Sequence, residues 1–193
     1  VKVDKREPEP ARSVRDAADS GHGAGILVRT ARPSEYQAVG ELTVAAYLGD
    51  NLFGAHVAGA PAGDYESELR DVRRRSEQAH IMVAVDEVDG ALLGSVTFVA
   101  PGSPYAELAH EDEAEFRMLA VRPLARGHGV GTALVNECVA RARRLRCAGV
   151  VIWAQWNMRP AHRLYQRLGF QRAPERDWYP TPDVELICYV KRF

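Results

Sequence analysis

The segment Arg126-Gly127-His128-Gly129-Val130-Gly131-Thr132 carries the residue types that a phosphate needs. Glycines let backbone approach an anion with no Cβ in the way, and N–H groups opening a helix converge where the helix dipole adds partial positive charge. Arg126 supplies a permanent charge that can fork onto phosphate oxygens. Spacing narrows the ligand. A dinucleotide fingerprint, G-x-G-x-x-G, fails from either start, because its third glycine falls on Thr132 or on Leu134. A Walker A loop fails because no lysine lies near the turn. What fits is Arg/Gln-x-x-Gly-x-Gly/Ala, as Arg126, Gly129 and Gly131.

Such a turn works only if its flanks aim it. The run 116–121 reads as a strand entering the turn, and 133–146 as the helix leaving it. In that helix Leu134, Val135, Cys138, Val139, Ala142 and Leu145 share an apolar face opposite Asn136, Glu137, Arg141, Arg143 and Arg144. Upstream, Ile26–Thr30 is β-prone, and Val39, Leu42, Thr43, Ala46 and Tyr47 recur at helical spacing. A long, partly apolar loop at 49–63 precedes a charged helix at 64–76, and loops of that length inside a domain are often functional. His80–Asp86 and 91–99 are strands joined by a hairpin containing Asp89-Gly90. Downstream, Gly149–Gln155 is a strand, Asn157 can cap a helix with Pro160 in its first turn, and Ala161, Leu164, Tyr165 and Leu168 form that helix's buried stripe before Gly169 stops it. A strand at 184–190 closes the sheet.

Two motifs in this order, Met118-Leu119-Ala120-Val121-Arg122-Pro123 running into the 126–132 turn and then Asn157-x-x-x-Ala161-x-x-Leu164-Tyr165-x-x-x-Gly169-Phe170, resemble those of the GNAT superfamily of acyl-CoA-dependent N-acetyltransferases. The resemblance covers residues 26–193 and implies a single α/β domain. Its mixed, mostly antiparallel sheet would be flanked by helices in the order β-α-α-β-β-β-α-β-α-β. A V-shaped opening between the fourth and fifth strands would admit the pantetheine arm of acetyl-CoA. The resemblance further implies that Arg126, Gly127, His128, Gly129, Val130, Gly131 and Thr132 seat the diphosphate. Backbone at Leu119, Ala120 and Val121 would lie along the arm, with a nearby N–H as oxyanion donor to the thioester carbonyl. Asn157 would bond the arm as well as cap its helix, and Tyr165 would place a hydroxyl near the CoA sulfur. The family's acceptor wall makes the 49–63 loop the candidate for substrate selection.

An alkylammonium with a pKa near 10.4 must lose a proton before attacking, at a cost of about 4 to 5 kcal/mol at neutral pH. A carboxylate, usually through water, can take that proton. Unbroken strand alternation puts Glu115, Arg117, Leu119 and Val121 on one face and Phe116, Met118 and Ala120 on the other. Glu115 is the first choice of base and Glu113 the second, since a register shift of two keeps the face. A plain ion pair between Glu115 and Arg117 is the competing role. For Tyr165, protonating the departing thiolate competes with a core hydroxyl that finds a neighbour. His128 reads as a solvent-facing residue of the phosphate turn rather than a base. Trp178-Tyr179-Pro180 and the acidic 107–115 connection could cradle an amine, or form a plain loop.

Composition bounds the rest. A chain of 193 residues with 46% hydrophobic content suits one domain, and the net charge of −1 with pI near 6.7 argues against a nucleic-acid binder. No stretch approaches a membrane span and no signal-peptide core precedes the first strand, so a soluble, cytoplasmic protein is expected. Residues 1–25 read as a flexible N-terminal tail, and the initial Val suggests a trimmed or alternative start. Cys138, Cys147 and Cys188 lack metal or redox spacing, His80, His110 and His162 lack ligand spacing, and no metal is expected. The reading is an N-acetyltransferase using acetyl-CoA and an amine acceptor, with a CoA-binding module without turnover as the alternative. A homodimer is compatible with it. Antibiotic, polyamine, amino acid, peptide and protein lysine all remain open as acceptors.

Overall fold

A computed structural model describes residues 25–49, 62–181 and 184–193. The expected tail, and most of the loop assigned to substrate selection, lie outside the described residues. The chain runs β1 (Ile26–Thr30), α1 (Tyr36–Gly49), α2 (Ala62–Arg70), α3 (Val72–Ser76), β2 (His80–Asp86), β3 (Leu92–Val99), β4 (Glu113–Val121), α4 (Val130–Arg144), β5 (Gly149–Gln155), α5 (Arg159–Arg167), β6 (Gln171–Arg172), β7 (Trp178–Thr181) and β8 (Val184–Arg192). The eight strands form one sheet in the order β1-β2-β3-β4-β5-β8-β6, with β7 also paired to β8.

β2 is buried on both faces, so its residues read as a continuous apolar run and the sheet must be covered twice. Met82 and Ala84 face the main core with Phe98, Phe116, Leu134 and Cys138 under α4 and α5. Ile81, Val83 and Val85 face Val39 of α1 and Val72 of α3. The single charged helix expected at 64–76 is two, because the Asp71 side chain accepts a hydrogen bond from the Arg74 amide (3.0 Å) and starts a new helix. Strands β6 and β7, two and four residues long, carry no alternation to read and form by pairing with β8.

The sheet opens where the site must be. All neighbours are antiparallel except β4 and β5, which pair in parallel only over Glu113–Gly149, Ala114–Val150 and Glu115–Val151. Past Glu115 the two strands part, giving the expected opening between the fourth and fifth strands. β4 stays on β3 but bulges: between the Thr97–Arg117 and Ser95–Ala120 pairs, β3 supplies Val96 and β4 supplies both Met118 and Leu119. Met118 sits at φ 54, a left-handed conformation that costs a non-glycine about 1–2 kcal/mol.

This bulge corrects the face assignment. Leu119 and Val121 do not share the face of Glu115 and Arg117; they pack with Phe116 toward α4. Met118 turns to Val44 and Leu69, and Ala120 to Leu42 and Ala46, on the α1–α2 side. One inserted residue inverts a period-two pattern, and sequence alternation cannot register it.

Gly94 lets α4 approach the bulge. A Cβ there would stand 2.8 Å from the Ala120 carbonyl oxygen and 2.9 Å from Val130 Cγ1. Gly94→Ala is therefore expected to cost about 1–3 kcal/mol, read as a lower melting temperature, and to weaken ligand binding at the first turn of α4. A wild-type melt in this variant would contradict the close packing.

Candidate functional site

The phosphate turn has the conformation its glycines imply. Gly127 and Gly129 lie at φ 80 and φ 88, and Gly129 is the N-cap of α4, so the helix starts three residues earlier than the expected Ala133. The Ala133 amide donates to the Gly129 carbonyl (2.9 Å), whereas the amides of Val130, Gly131 and Thr132 precede any i−4 partner and donate to no described residue. They form the positive end of a 15-residue helix. The Arg126 Nε donates to the Val121 carbonyl (3.4 Å), holding the arginine beside the turn.

These groups open onto a cleft of about 470 Å³. Leu119, Ala120, Val121, Arg126, Gly127, Gly129, Val130, Gly131, Thr132 and Asn157 all line it. His128 is the exception among the expected cofactor residues. Its Nδ1 lies 2.9 Å from the Arg126 carbonyl, and its ring braces the turn instead of lining the cleft. On its β5-facing edge β4 has no partner beyond Glu115 among the described residues, so the Leu119–Val121 main chain offers strand-type hydrogen bonds to a ligand. The cleft thus presents open amides, a cation and an unpaired strand edge, a donor set that fits a diphosphate and an amide-bearing arm. Asn157 precedes α5 without capping it, because Met158 is the N-cap and no side-chain cap bond forms. Arg167, absent from the sequence expectation, adds a second guanidinium from the last turn of α5.

A second cavity, of about 80 Å³, lies in the V and shares Tyr47, Leu119 and Met158 with the cleft, so the two adjoin. Glu115 and Tyr165, expected from separate parts of the chain, both line it. Glu115 is 2% exposed. Its Oε2 accepts from the amides of Glu107 (3.2 Å) and Leu108 (3.3 Å), and its Oε1 lies 3.7 Å from Arg117 Nε. Burial pushes the Glu115 carboxyl up, and the opposing pull of Arg117 and the two amides does not cancel it. Tyr165 is also 2% exposed, packed edge-on against Phe116 at 5.8 Å between ring centroids, and near Phe170 and Tyr189. Its hydroxyl has no hydrogen bond to any described residue, and burial raises its pKa well above an ordinary phenol's. A neutral O–H facing a cavity, with no partner among the described residues, is a donor held in reserve.

Glu113, the alternative base, is committed elsewhere. Arg176 grips it through Nη1 (3.0 Å) and Nη2 (2.9 Å), and the His110 amide donates to it as well (3.1 Å). Arg176 also donates to the Leu108 carbonyl (2.9 Å) and lies over the Trp153 ring. The pair fastens the 105–112 connection to β4 and to the segment before β7, and Glu113 does not line the cavity. Burial alone would raise the Glu113 pKa, but the Arg176 hydrogen bonds and charge together with the His110 amide hold it below the usual value. A folded-state pKa below the unfolded one stabilises above the unfolded pKa, and that stability is lost as pH falls through the folded value. Arg176→Ala strands a buried carboxylate and is expected to cost about 3–5 kcal/mol. Its melting temperature should fall steeply at neutral pH, and the gap from wild type should narrow as the pH falls through the lowered folded-state value of Glu113. An unchanged melt would contradict the lock.

Tyr47, Tyr65, Gln155 and Met158 also line the cavity, and sequence reasoning gave none of them a role there; of the lining residues Arg117 and Glu107, it named the first as a possible ion-pair partner of Glu115 and the second only within the acidic connection. Tyr47 showed only as an apolar helical position. Trp178 and Tyr179 do not line the cavity; Leu186, paired with Trp178, does, and the Tyr179 hydroxyl donates to Glu185 outside it. None of the described helices is long and apolar enough to cross a membrane.

The model of the Acetyltransferase (GNAT) family matches residues 45–170, which include both cavities' β4, α4 and α5 walls. An uncharacterized N-acetyltransferase of Schizosaccharomyces pombe is 29% identical over 120 residues, 62% of this chain and 69% of that protein. Mycothiol acetyltransferase of Acidothermus cellulolyticus is 31% identical over 113 residues, 53% of this chain but 35% of its own length, so this match spans about a third of that relative. Among solved structures, an acetyltransferase of Salmonella typhimurium with its cofactor acetyl-CoA superposes with a TM-score of 0.58 at 18% identity, covering 87% of this chain and 94% of that one. That likeness is one of fold.

Proposed function

The chain belongs to the acetyltransferase (GNAT) family, and on that footing we propose that it transfers an acetyl group from acetyl-CoA to a primary amine by direct attack in a ternary complex. The observation that carries this reading is the junction of the two cavities: a phosphate-type cleft adjoins a chamber that holds a buried carboxylate and an uncommitted phenol.

Acetyl-CoA would supply the acetyl group as a thioester. The amides of Val130, Gly131 and Thr132 with Arg126 and Arg167 would hold its diphosphate, and the Leu119–Val121 edge with Asn157 its arm. Glu115, its pKa raised by burial, would take the proton of the bound ammonium through Oε1, the oxygen that no main-chain amide of the described residues occupies. As the new N–C bond forms and the C–S bond breaks, the surplus proton on the acylated nitrogen would pass through solvent to the departing CoA thiolate, and Tyr165 would donate its hydroxyl hydrogen bond to that sulfur. A phenol less acidic than a thiol favours sharing its own proton over full transfer.

No cysteine, serine, threonine or histidine is among the described residues lining the chamber, and burial pushes the thiols of Cys138 and Cys188 up, that of Cys188 to about 12. This supports direct attack over an acetylated side chain. Initial-rate patterns test it: varying acetyl-CoA at several fixed amine concentrations should give intersecting reciprocal lines, and parallel lines would indicate a covalent acetyl-enzyme.

A further inference from the structure

We propose that Glu107 is a positioning residue that draws the Arg117 guanidinium away from Glu115, so that Glu115 keeps the basicity needed to deprotonate the acceptor. This rests on the assignment of Glu115 as base. Arg117 is one residue of β4 removed from Glu115 on the same face and lines the same chamber. Its Nη2 lies 2.8 Å from Glu107 Oε1, a close ion pair, whereas its Nε lies 3.7 Å from Glu115 Oε1, at the outer edge of one. The Tyr105 ring holds the guanidinium from its face, at 5.1 Å.

Residue 107 therefore acts on Glu115 twice. Its main-chain amide, with that of Leu108, occupies Oε2, and its side chain engages the only cation near Oε1 among the described residues lining the chamber. Take the Glu107 charge away and Arg117 has one carboxylate left to pair with. Glu115 then becomes easier to ionise and a poorer base.

The groups facing Glu115 are few. Arg117 comes from β4, Glu107 from the 105–112 connection, Tyr47 from α1, Tyr65 from α2 and Tyr165 from α5, while β5 and β8 present Gln155, Trp153 and Leu186, none of which titrates. Beyond them lie Tyr105 and Glu68, hydrogen-bonded to each other at 2.8 Å, and the buried Arg75 of α3, whose guanidinium donates to the Glu68 and Leu69 carbonyls. Burial holds Tyr47, Tyr65, Tyr105 and Tyr165 protonated through the neutral range, so Arg117 and Glu107 are the charges that matter. Arg117 pulls the Glu115 pKa down and Glu107 pushes it up.

Glu107 is 41% exposed at its side chain, so its replacement should leave the fold standing. The test is the pH profile of kcat/KM for acetyl transfer to one primary amine. In Glu107→Gln the acid limb should move down by at least ~0.5 pH unit, while Glu107→Asp, which keeps the charge, should hold it within ~0.2 unit of wild type. An unmoved limb in Glu107→Gln, or an equal shift in Glu107→Asp, overturns the proposal. Glu115→Gln separates the two layers: a limb that survives in Glu115→Gln removes the base assignment itself, whereas a limb that vanishes there but stays put in Glu107→Gln removes only the role of Glu107.

Discussion

Gly131→Glu should weaken acetyl-CoA binding by at least ~100-fold, about 2.8 kcal/mol, while the protein still folds. Gly131 lies in the first turn of α4, where helical backbone accepts any side chain, and its nearest neighbours for an added Cβ are the Leu164 Cδ2 at 3.3 Å and the Val121 Cγ2 at 3.8 Å. Those side-chain ends can yield, so the fold tolerates the substitution. The ligand should not, because the new side chain enters the cleft and sets a negative charge beside the open amides that the proposed function assigns to the diphosphate. Gly131→Ala separates bulk from charge and should lose only about a tenth as much in fold terms. Gly129→Glu should also abolish binding, but it forces a side chain onto φ 88 and mixes backbone strain with the loss. Calorimetric titration with acetyl-CoA checks the series, and unchanged affinity in Gly131→Glu would remove the phosphate seat from α4.

The second large effect divides base from acid. Glu115→Gln should lower kcat/KM about 10²–10³-fold near pH 6 and recover toward about tenfold near pH 9, where free amine accumulates and needs no base. The direction follows from a carboxyl whose burial raises its pKa: it can accept a proton only above that value, and glutamine never can. Tyr165→Phe should lower kcat by about 10–100-fold at all these pH values and leave acetyl-CoA affinity nearly intact, since the ring's stacking on Phe116 survives and only the hydroxyl is lost. A pH-independent defect in Glu115→Gln would take the base role from that carboxylate. Wild-type turnover in Tyr165→Phe would return the tyrosine to the core.

How much of this was readable depends on which interactions are local. The conformation of the glycine turn was, because Gly127 and Gly129 act through backbone geometry within a few residues of themselves. The opening of the sheet came from the resemblance, and its details did not: the bulge at Met118 lies where Gly94 packs closely against Ala120 and Val130, contacts far apart in sequence. Glu115 and Glu113 could not be told apart from spacing, since both sit on one strand face. Arg176, 63 residues on, engages Glu113, while Glu115 faces the chamber. Arg117 and Glu107 read as ordinary charges for the same reason, and their meaning appears only when the 105–112 connection folds over β4. β6 and β7 escaped because a strand of two to four residues is defined by its partner rather than by its own pattern.

The most direct test of the central claim is to incubate the protein with acetyl-CoA and a panel of primary amines, measuring free thiol and N-acetylated amine in the same samples. The account predicts that at least one amine yields thiol and acetylated product in equal amounts, at a rate lost in Gly131→Glu. Tight acetyl-CoA binding with no thiol release across the panel would contradict it and make the chain a CoA-binding module without turnover.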